Sequence, residues 1–235
     1  MTNRPKPIIH NQRPKSRGIF ITGTDTGVGK TYVAAGIASE LIRRGVSVGV
    51  MKPVETGCGT RQGRLIPRDA LRLMRAANVK DPLALINPYC FKQALAPSVA
   101  AGLEGKKLLP KKIIAAYGKL SRRHDFMIVE GAGGIMVPLH GAYTYLDLAR
   151  EIGLPVLVVA RPGLGTINHT LLTVSALKER RITVAGIVIN YAQEQKAGLA
   201  ETTAPAMIEK ISGVKIWDIV PNGSCRFSKL AEHFK

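Results

Sequence analysis

Residues 18–31 constrain the fold of this chain more than any other stretch, because they combine a strand pattern, a glycine-rich loop and a helix start. Residues 19–21 are an apolar run with strand character, and residues 22–29 hold three glycines among small hydroxyl side chains. Glycines let the backbone wrap closely around an anion, and a helix N-terminus adds partial positive charge. The stretch therefore predicts a phosphate-binding loop in which Lys30 reaches the terminal phosphates and the Thr31 hydroxyl binds Mg²⁺.

The spacing of this loop departs from the general phosphate-loop pattern. Five residues separate Gly23 from Gly29, where the general pattern has about four. Thr24 stands at the expected glycine position. A structural turn is the alternative interpretation, but the strand before the loop and the helix after it favour phosphate binding.

Size and composition fit one soluble α/β domain with a substantial core. The chain has 235 residues, of which 46% are apolar but only 5% aromatic, so aliphatic side chains must fill the interior. The longest apolar runs, such as residues 154–160, are too short to span a bilayer, so we expect no membrane partner. Cys58, Cys90 and Cys225 are scattered along the sequence without metal-ligand spacing, which indicates a reducing compartment and favours the cytoplasm.

The formal net charge of +18 raises nucleic acid or an anionic membrane surface as a partner. The basic residues occur in dispersed pairs, such as residues 43–44 and 111–112, rather than in one long run. Pairs of this kind on loops and helix faces are ordinarily solvated charges. We therefore do not expect specific nucleic-acid binding, and part of the charge suits anionic substrates.

Residues 1–17 differ from the rest of the chain. They hold five basic residues and three prolines but no acid, which predicts a disordered basic arm. They lack the apolar core of a secretory signal. We expect residues 18–235 to form a single domain.

Strands and helices alternate through that domain, which predicts a mostly parallel central sheet flanked by helices. Ligands of open α/β sheets bind beyond the carboxyl ends of the strands. Lys52 follows the predicted strand 46–51 and is therefore placed near a substrate, although a surface lysine before a turn proline is the alternative. Residues 58–68 are predicted to be a loop.

Two acids are candidate Mg²⁺ ligands. Glu130 follows the predicted strand 125–129 and precedes a glycine-rich loop, a position typical of a metal-side carboxylate. Asp69 stands at the start of a short helix, where an ordinary cap is the alternative. Residues 163–172 form a glycine-containing loop that enters a further helix. Free N–H groups there would bind a carboxylate, and a plain strand-to-helix turn is the alternative.

Six motifs occur together in a fixed order. They are Gly-Thr-Asp-Thr-Gly-Val-Gly-Lys-Thr (23–31), Lys-Pro-Val-Glu-Thr-Gly (52–57), Arg-Asp-Ala-Leu (68–71), Val-Glu-Gly-Ala-Gly-Gly with Val-Pro-Leu (129–139), Leu-Gly-Thr-Ile-Asn-His-Thr-Leu-Leu (164–172) and Gly-Ile-Val-Ile-Asn (186–190). In these motifs the chain resembles the dethiobiotin synthetase family over residues 18–223. The five-residue loop spacing is the normal form in that family.

This resemblance implies a three-layer P-loop NTPase fold and an ATP- and Mg²⁺-dependent ring closure. The substrate 7,8-diaminopelargonate takes up CO₂ on one amine to give a carbamate, whose oxygen attacks the γ-phosphate of ATP. The second amine then closes the ureido ring, and the products are dethiobiotin, ADP and phosphate. The resemblance also implies a homodimer with substrate at the subunit interface.

The family's functional residues fall on matching positions of this sequence. Catalysis is assigned to Lys52 and Lys30, and Mg²⁺ binding to Thr31, Asp69 and Glu130. The ATP contacts are Gly27, Val28, Gly29, Lys30, Thr31, Tyr32, Asp69, Glu130, Gly131, Ala132, Gly133, Asn190, Tyr191, Pro221, Asn222 and Gly223. The substrate contacts are Thr26, Lys52, Thr56, Gly165 and Asn168.

Two departures and two alternatives remain. Some family members carry an acid at the position of Gly27 and a serine at that of Thr56, and threonine keeps the hydroxyl. Partition-type ATPases share the architecture and bind DNA, but Asp25 occupies the place of their signature lysine. Amidotransferases of the cobyrinic-acid type usually carry a second, glutamine-hydrolysing domain, for which this chain is too short.

Overall fold

The computed structural model describes residues 17–194 and 197–234. The predicted basic arm therefore lies outside the described residues, apart from Arg17, which opens the first strand. The division into an arm and a single domain stays a prediction.

The strands in the described ranges are, in chain order, β1 (Arg17–Gly23), β2 (Val48–Met51), β3 (Val54–Glu55), β4 (Gly59–Arg61), β5 (Arg64–Ile66), β6 (Tyr89–Cys90), β7 (Phe126–Gly134), β8 (Pro138–His140), β9 (Tyr143–Thr144), β10 (Val156–Ala160), β11 (Val184–Asn190) and β12 (Ile216–Val220). The helices there are α1 (Lys30–Arg43), α2 (Arg68–Ala76), α3 (Leu83–Ile86), α4 (Pro97–Leu103), α5 (Pro110–Leu120), α6 (Tyr145–Ile152), α7 (Thr166–Glu179), α8 (Leu199–Ser212) and α9 (Ser228–Glu232).

A central sheet of six strands has the order β12-β11-β10-β1-β7-β2, and every neighbouring pair is parallel. This confirms the predicted fold class. Its inner strands are apolar on both faces: all five residues of β10 are fully buried, as are residues 19–21 of β1. A strand without a polar face requires cover on both sides of the sheet.

Helices supply that cover. Helix α1 packs against α2 and α9, whereas α5 packs against α6, and α7 packs against α8. Right-handed crossovers place the α1 group on one face of the sheet and the other two pairs on the opposite face. No helix in residues 17–194 or 197–234 is long and apolar enough to cross a membrane.

The prediction of a loop over residues 58–68 is wrong. Strands β4 and β5 form a short antiparallel hairpin there, and Gly63 at its tip has φ 73°. The hairpin residues are largely exposed, so they lack the apolar alternation by which a strand is recognised.

The order of strands decides where the chemistry lies. Strands β1, β7 and β2 are adjacent, and their carboxyl ends meet at one edge of the sheet. The glycine-rich loop follows β1 and Lys52 follows β2, whereas Glu130 lies within β7, directly after Val129, which pairs with the last residue of β2. The prediction that this strand ends at residue 129 and leads into a glycine-rich loop is wrong, because β7 continues to Gly134 and pairs there with Gly23. The sheet still brings the loop, Glu130 and Lys52 together at that edge.

Candidate active site

The glycine-rich loop connects β1 to α1. Gly27 and Gly29 adopt positive φ angles of 75° and 89°, a region that favours glycine. A Cβ atom on Gly29 would also collide with the side-chain amide of Asn190. Among the described residues, no side chain caps the N-terminus of α1. The first N–H groups of this helix are therefore available to an anion.

Lys30 is the first residue of α1 and is almost fully buried. Its Nζ donates a hydrogen bond of 2.9 Å to the carbonyl oxygen of Asp25, so the side chain folds back over the loop. Burial, assisted by the nearby charge of Lys52, lowers the pKa of Lys30 to about 8. An anion in the loop would reverse this shift, because it favours the protonated amine.

Lys52 and Glu130 meet because of the register between β2 and β7. Met51 is paired with Val129, so the residue that follows each of them lies at the same level of the sheet edge. Lys52 Nζ is 2.5 Å from Glu130 Oε1. Both side chains are buried, with exposed fractions of 4% and 0%.

Two further side chains join this ion pair. Asp69 Oδ2 lies 3.1 Å from Lys52 Nζ, and the Thr31 hydroxyl donates a 2.8 Å hydrogen bond to Glu130 Oε1. Burial lowers the pKa of Lys52, but the charges of Glu130 and Asp69 outweigh it and raise the pKa above its ordinary value. Lys52 is therefore held as a cation.

Glu55 positions Asp69, and sequence reasoning missed it. Its carboxylate accepts hydrogen bonds of 3.0 Å from the backbone N–H groups of both Asp69 and Ala70, which lie in the first turn of α2. Asp69 is thus not the cap of this helix; Glu55, distant in sequence, has that role. The sequence signal for Glu55 was its position as an acid within the 52–57 motif. The spacing did not identify the helix whose N–H groups it accepts.

Asn87 was also missed. Its side-chain amide donates a 2.8 Å hydrogen bond to the carbonyl oxygen of Lys52, whose own N–H donates to Ile86. These two bonds fix the backbone that carries the lysine. No sequence feature had distinguished this asparagine.

Residues of the glycine-rich loop line one cavity of about 700 Å³ together with Lys52, Asp69 and Glu130. The cavity brings together the predicted residues Thr26, Gly27, Gly29, Lys30, Thr31, Lys52, Thr56, Asp69, Glu130, Ala132 and Gly133. Glu55, Ala94, Leu95, Ala96, Pro97 and Val137, none of which was predicted, complete its lining. The lining thus combines charged side chains with apolar ones such as Leu95, Pro97 and Val137.

Three further predicted contacts, Val28, Gly131 and Asn190, do not line this cavity. Val28 and Gly131 are buried. Asn190 ends β11, and its side-chain amide donates a 2.9 Å hydrogen bond to the carbonyl oxygen of Val28. Its Oδ1 atom is buried without a partner among the described residues, so the side chain retains an unused acceptor beside the loop.

Most of the remaining predicted nucleotide contacts lie at the carboxyl ends of β11 and β12. Tyr191 follows β11, residues 221–223 follow β12, and the Tyr32 hydroxyl donates a hydrogen bond to the Ser224 carbonyl oxygen. Tyr32 and Gly223 line a second cavity of about 660 Å³. The linings of these two cavities do not include Asn190, Tyr191, Pro221 or Asn222.

Gly165 and Asn168 are not part of either cavity within one chain. Gly165 precedes α7 with φ 86°, and both residues are exposed. Asn168 instead lines a smaller groove of about 390 Å³ between α7 and α8. A substrate bound beside Lys52 would not meet them in the same chain.

The charged residues of the cavity lining suit Mg²⁺. Within the described ranges, no group of three His, Cys, Asp or Glu side chains could hold a metal by itself. Glu130 Oε2, however, is buried without a partner among those residues, and an unpaired buried carboxylate oxygen is unfavourable. Mg²⁺ prefers oxygen ligands from one or two carboxylates plus phosphates, and Glu130, Asp69 and the Thr31 hydroxyl supply the protein part of such a set.

Solved structures share this fold at low sequence identity. A ParA family ATPase from Chlorobium tepidum superposes with a TM-score of 0.54 at 15% identity, covering 92% of this chain and 90% of the other. The cell division ATPase MinD from Pyrococcus furiosus gives a TM-score of 0.55 at 18% identity, covering 93% and 98%. These similarities concern the fold alone.

Sequence comparisons are more specific. A family model described as an AAA domain matches residues 17–224. A protein of Thermodesulfovibrio yellowstonii named ATP-dependent dethiobiotin synthetase is 43% identical to this chain, and the match covers 87% of this chain and 88% of the relative. The protein of that name in Methanocaldococcus jannaschii is 44% identical, covering 86% and 92%. The resemblance drawn from the motifs is thereby confirmed, and the chain belongs to the ATP-dependent dethiobiotin synthetase family.

Proposed function

We propose that this chain catalyses the ATP-dependent ring closure of 7,8-diaminopelargonate with CO₂, forming dethiobiotin, ADP and phosphate. The observation that carries the proposal is a buried ammonium, Lys52, held by Glu130 and Asp69 in the same cavity as the phosphate loop. Family membership supports the same reaction, and the partition-type alternative is not favoured. The direct test is an assay for dethiobiotin from the diamine, bicarbonate, ATP and Mg²⁺.

The glycine-rich loop would bind the phosphates. Its backbone N–H groups and Lys30 supply donors and positive charge where charge develops during phosphoryl transfer. Asn190 would recognise adenine, since its free Oδ1 accepts the hydrogen bond that an exocyclic amine donates. Tyr191 and residues 221–223 lie beside it at the strand ends.

Lys52 would stabilise the carbamate. A carbamate is an anion, and a lysine whose pKa is raised stays protonated beside it. Lys52 thus acts through its charge rather than as a base. The carbamate oxygen attacks the γ-phosphate with ADP as the leaving group, and the second amine attacks the carbamoyl carbon and displaces phosphate.

We propose Thr31, Asp69 and Glu130 as the residues that hold Mg²⁺, which when bound neutralises charge on the phosphate oxygens. The apolar wall of the cavity, which includes Leu95 and Val137, would take the alkyl chain of the diamine. Thr26 and Thr56 line the same cavity and offer hydroxyl groups to the amines.

We further propose a homodimer that completes the site. Helices α7 and α8 expose large apolar side chains: Leu172 is 62% exposed, Leu199 86% and Ile211 58%. Exposed apolar groups on packed neighbouring helices indicate an interaction surface. Gly165 and Asn168 lie on this side of the molecule, so a second copy would bring their free N–H groups to the substrate carboxylate.

The unbonded state of Cys58, Cys90 and Cys225 supports the cytoplasm as the compartment.

Replacing Lys52 should remove most turnover. Lys52→Ala deletes the cation that faces the carbamate and the transferred phosphoryl group, and loss of such a contact lowers kcat by about 10²–10³. Steady-state assays of dethiobiotin formation measure the change in kcat. The matched control is Lys119→Ala, at an exposed position of α5. Near-normal kcat in Lys52→Ala would show that this lysine does not act on the reaction.

Replacing Glu130 should weaken Mg²⁺ binding. Glu130→Gln keeps the shape of the side chain but removes its charge, so half-maximal activity should require about tenfold more Mg²⁺. Isothermal titration of Mg²⁺ with a non-hydrolysable ATP analogue gives a second readout that does not depend on turnover. Glu232→Gln, at an exposed position of α9, is the control. An unchanged Mg²⁺ requirement in Glu130→Gln places this residue outside the metal site.

ATP binding should weaken as pH rises through the pKa of Lys30. Without bound ATP the pKa of Lys30 is about 8. Bound phosphate favours the protonated form of this side chain. Raising the pH from about 7 to about 9 should therefore increase the Kd for ATP about tenfold. Fluorescence titration measures this Kd. Lys30→Ala should bind ATP weakly and lose that pH dependence; if the variant keeps it, another group titrates.

Two inactive chains should complement each other if the site is shared. Lys52→Ala and a chain altered at both Gly165 and Asn168 carry their defects in different halves of the composite site. Remixing after dissociation should yield dimers with one intact site and recover about a quarter of wild-type activity, as expected for random reassortment of subunits. Lys52→Ala mixed with Glu130→Gln, two defects in one half, should show no more activity than the average of the two separate chains. Mixed dimers that form but stay inactive in the first pairing would disprove the shared site.

A further inference from the structure

Two of the three cysteines, although distant in sequence, are in contact. The Cys90 thiol is in direct contact with the Cys58 thiol, and both cysteines are free. Cys225, the third, is exposed in the loop before α9. The proposed reaction uses neither member of the pair.

The backbone around the pair is fixed by a short parallel ladder. Strands β3 and β6 pair Glu55 with Cys90, and the N–H of Cys58 donates a 3.0 Å hydrogen bond to the carbonyl oxygen of Phe91. The two thiols therefore meet because β6, which carries Cys90, is paired with β3, which ends shortly before Cys58. Their contact does not depend on the rotation of one exposed side chain.

The two thiols differ in access and acidity. Cys58 is buried, whereas Cys90 is partly exposed. The contact with Cys58 lowers the pKa of Cys90, and the Lys106 charge acts in the same direction. The same contact and burial raise the pKa of Cys58. A more acidic, accessible thiol beside a buried one is the arrangement of an attacking and a resolving cysteine.

We propose that Cys58 and Cys90 are a redox modification site, in which a peroxide oxidant converts the pair to a reversible disulfide. The Cys90 thiolate attacks one oxygen of hydrogen peroxide and becomes a sulfenic acid, while hydroxide leaves. The Cys58 sulfur then attacks the Cys90 sulfur, the sulfenic oxygen leaves as hydroxide, and the Cys58 proton converts it to water. Two thiols are oxidised and one peroxide is reduced to two waters.

The bond would join two walls of the active-site cavity. One wall carries Glu55, the positioning residue of Asp69, and Thr56; the other continues from Cys90 into residues 94–97. Reduced thiols leave these walls linked by the β3–β6 ladder and neighbouring backbone hydrogen bonds. A disulfide adds a covalent link and should reduce their opening.

Peptide mapping of the wild-type chain tests the proposal without an enzymatic assay. The chain is reduced, freed of reductant and treated with hydrogen peroxide at low protein concentration. We expect a disulfide-linked Cys58–Cys90 peptide, about 2 Da lighter than the two thiol peptides together, and its loss on addition of dithiothreitol. Amide hydrogen exchange over residues 55–58 and 90–97 should be slower in the oxidised chain. Two titratable thiols at positions 58 and 90 after peroxide, or unchanged exchange after bond formation, overturn the inference.

Variants separate this pair from the exposed thiol and establish the order of the steps. Cys225→Ser should still form the disulfide, which excludes a route through that cysteine. In Cys58→Ser the sulfenic acid on Cys90 should persist and react with dimedone, whereas Cys90→Ser should label at Cys58 at least about tenfold more slowly. Equal labelling in the two variants contradicts Cys90 as the attacking thiol. Dimedone added to the wild-type chain during oxidation tests the same order if a variant does not fold.

Discussion

The alignment of β2 with β7 is the constraint on which the active site depends. It places Lys52 against Glu130 at the carboxyl edge of the sheet, in a buried environment where neither charge is stable alone. Removing one partner of such a pair leaves an uncompensated charge, at a cost of about 3–5 kcal/mol. The pair also positions two further groups, because Asp69 contacts the lysine and Thr31 contacts the glutamate.

Electrostatic balance within the cavity differs from that of the whole chain. The chain carries a formal charge of +18, yet in the cavity Lys30 and Lys52 lie among three acids, Glu55, Asp69 and Glu130. Two anions, ATP and a carbamate, would enter this site together. Their charge is then met by lysines already in place, which reduces the reorganisation needed during the reaction.

The sequence predicted the parts of the site that follow directly from strand ends. Lys30 and Thr31 lie after β1 and Lys52 lies after β2, as predicted for a parallel sheet. Glu130 lies at the same level, although β7 continues beyond it to Gly134. Glu55 was missed because it caps a helix that begins 13 residues further along the chain, at Arg68. The contact between Cys58 and Cys90 was missed for a related reason, since the pairing of β3 with β6 has no local signature.

Asn190 connects the phosphate loop to the end of β11. Its side-chain nitrogen holds the carbonyl of Val28 and occupies the space that a Cβ on Gly29 would need, while its oxygen has no partner among the described residues. With the proposed role of Asn190 in adenine recognition, base specificity and the shape of the phosphate loop would share one side chain. A change of nucleotide preference at position 190 would disturb phosphate binding as well, so this protein could acquire a new base specificity only through compensating changes within the loop.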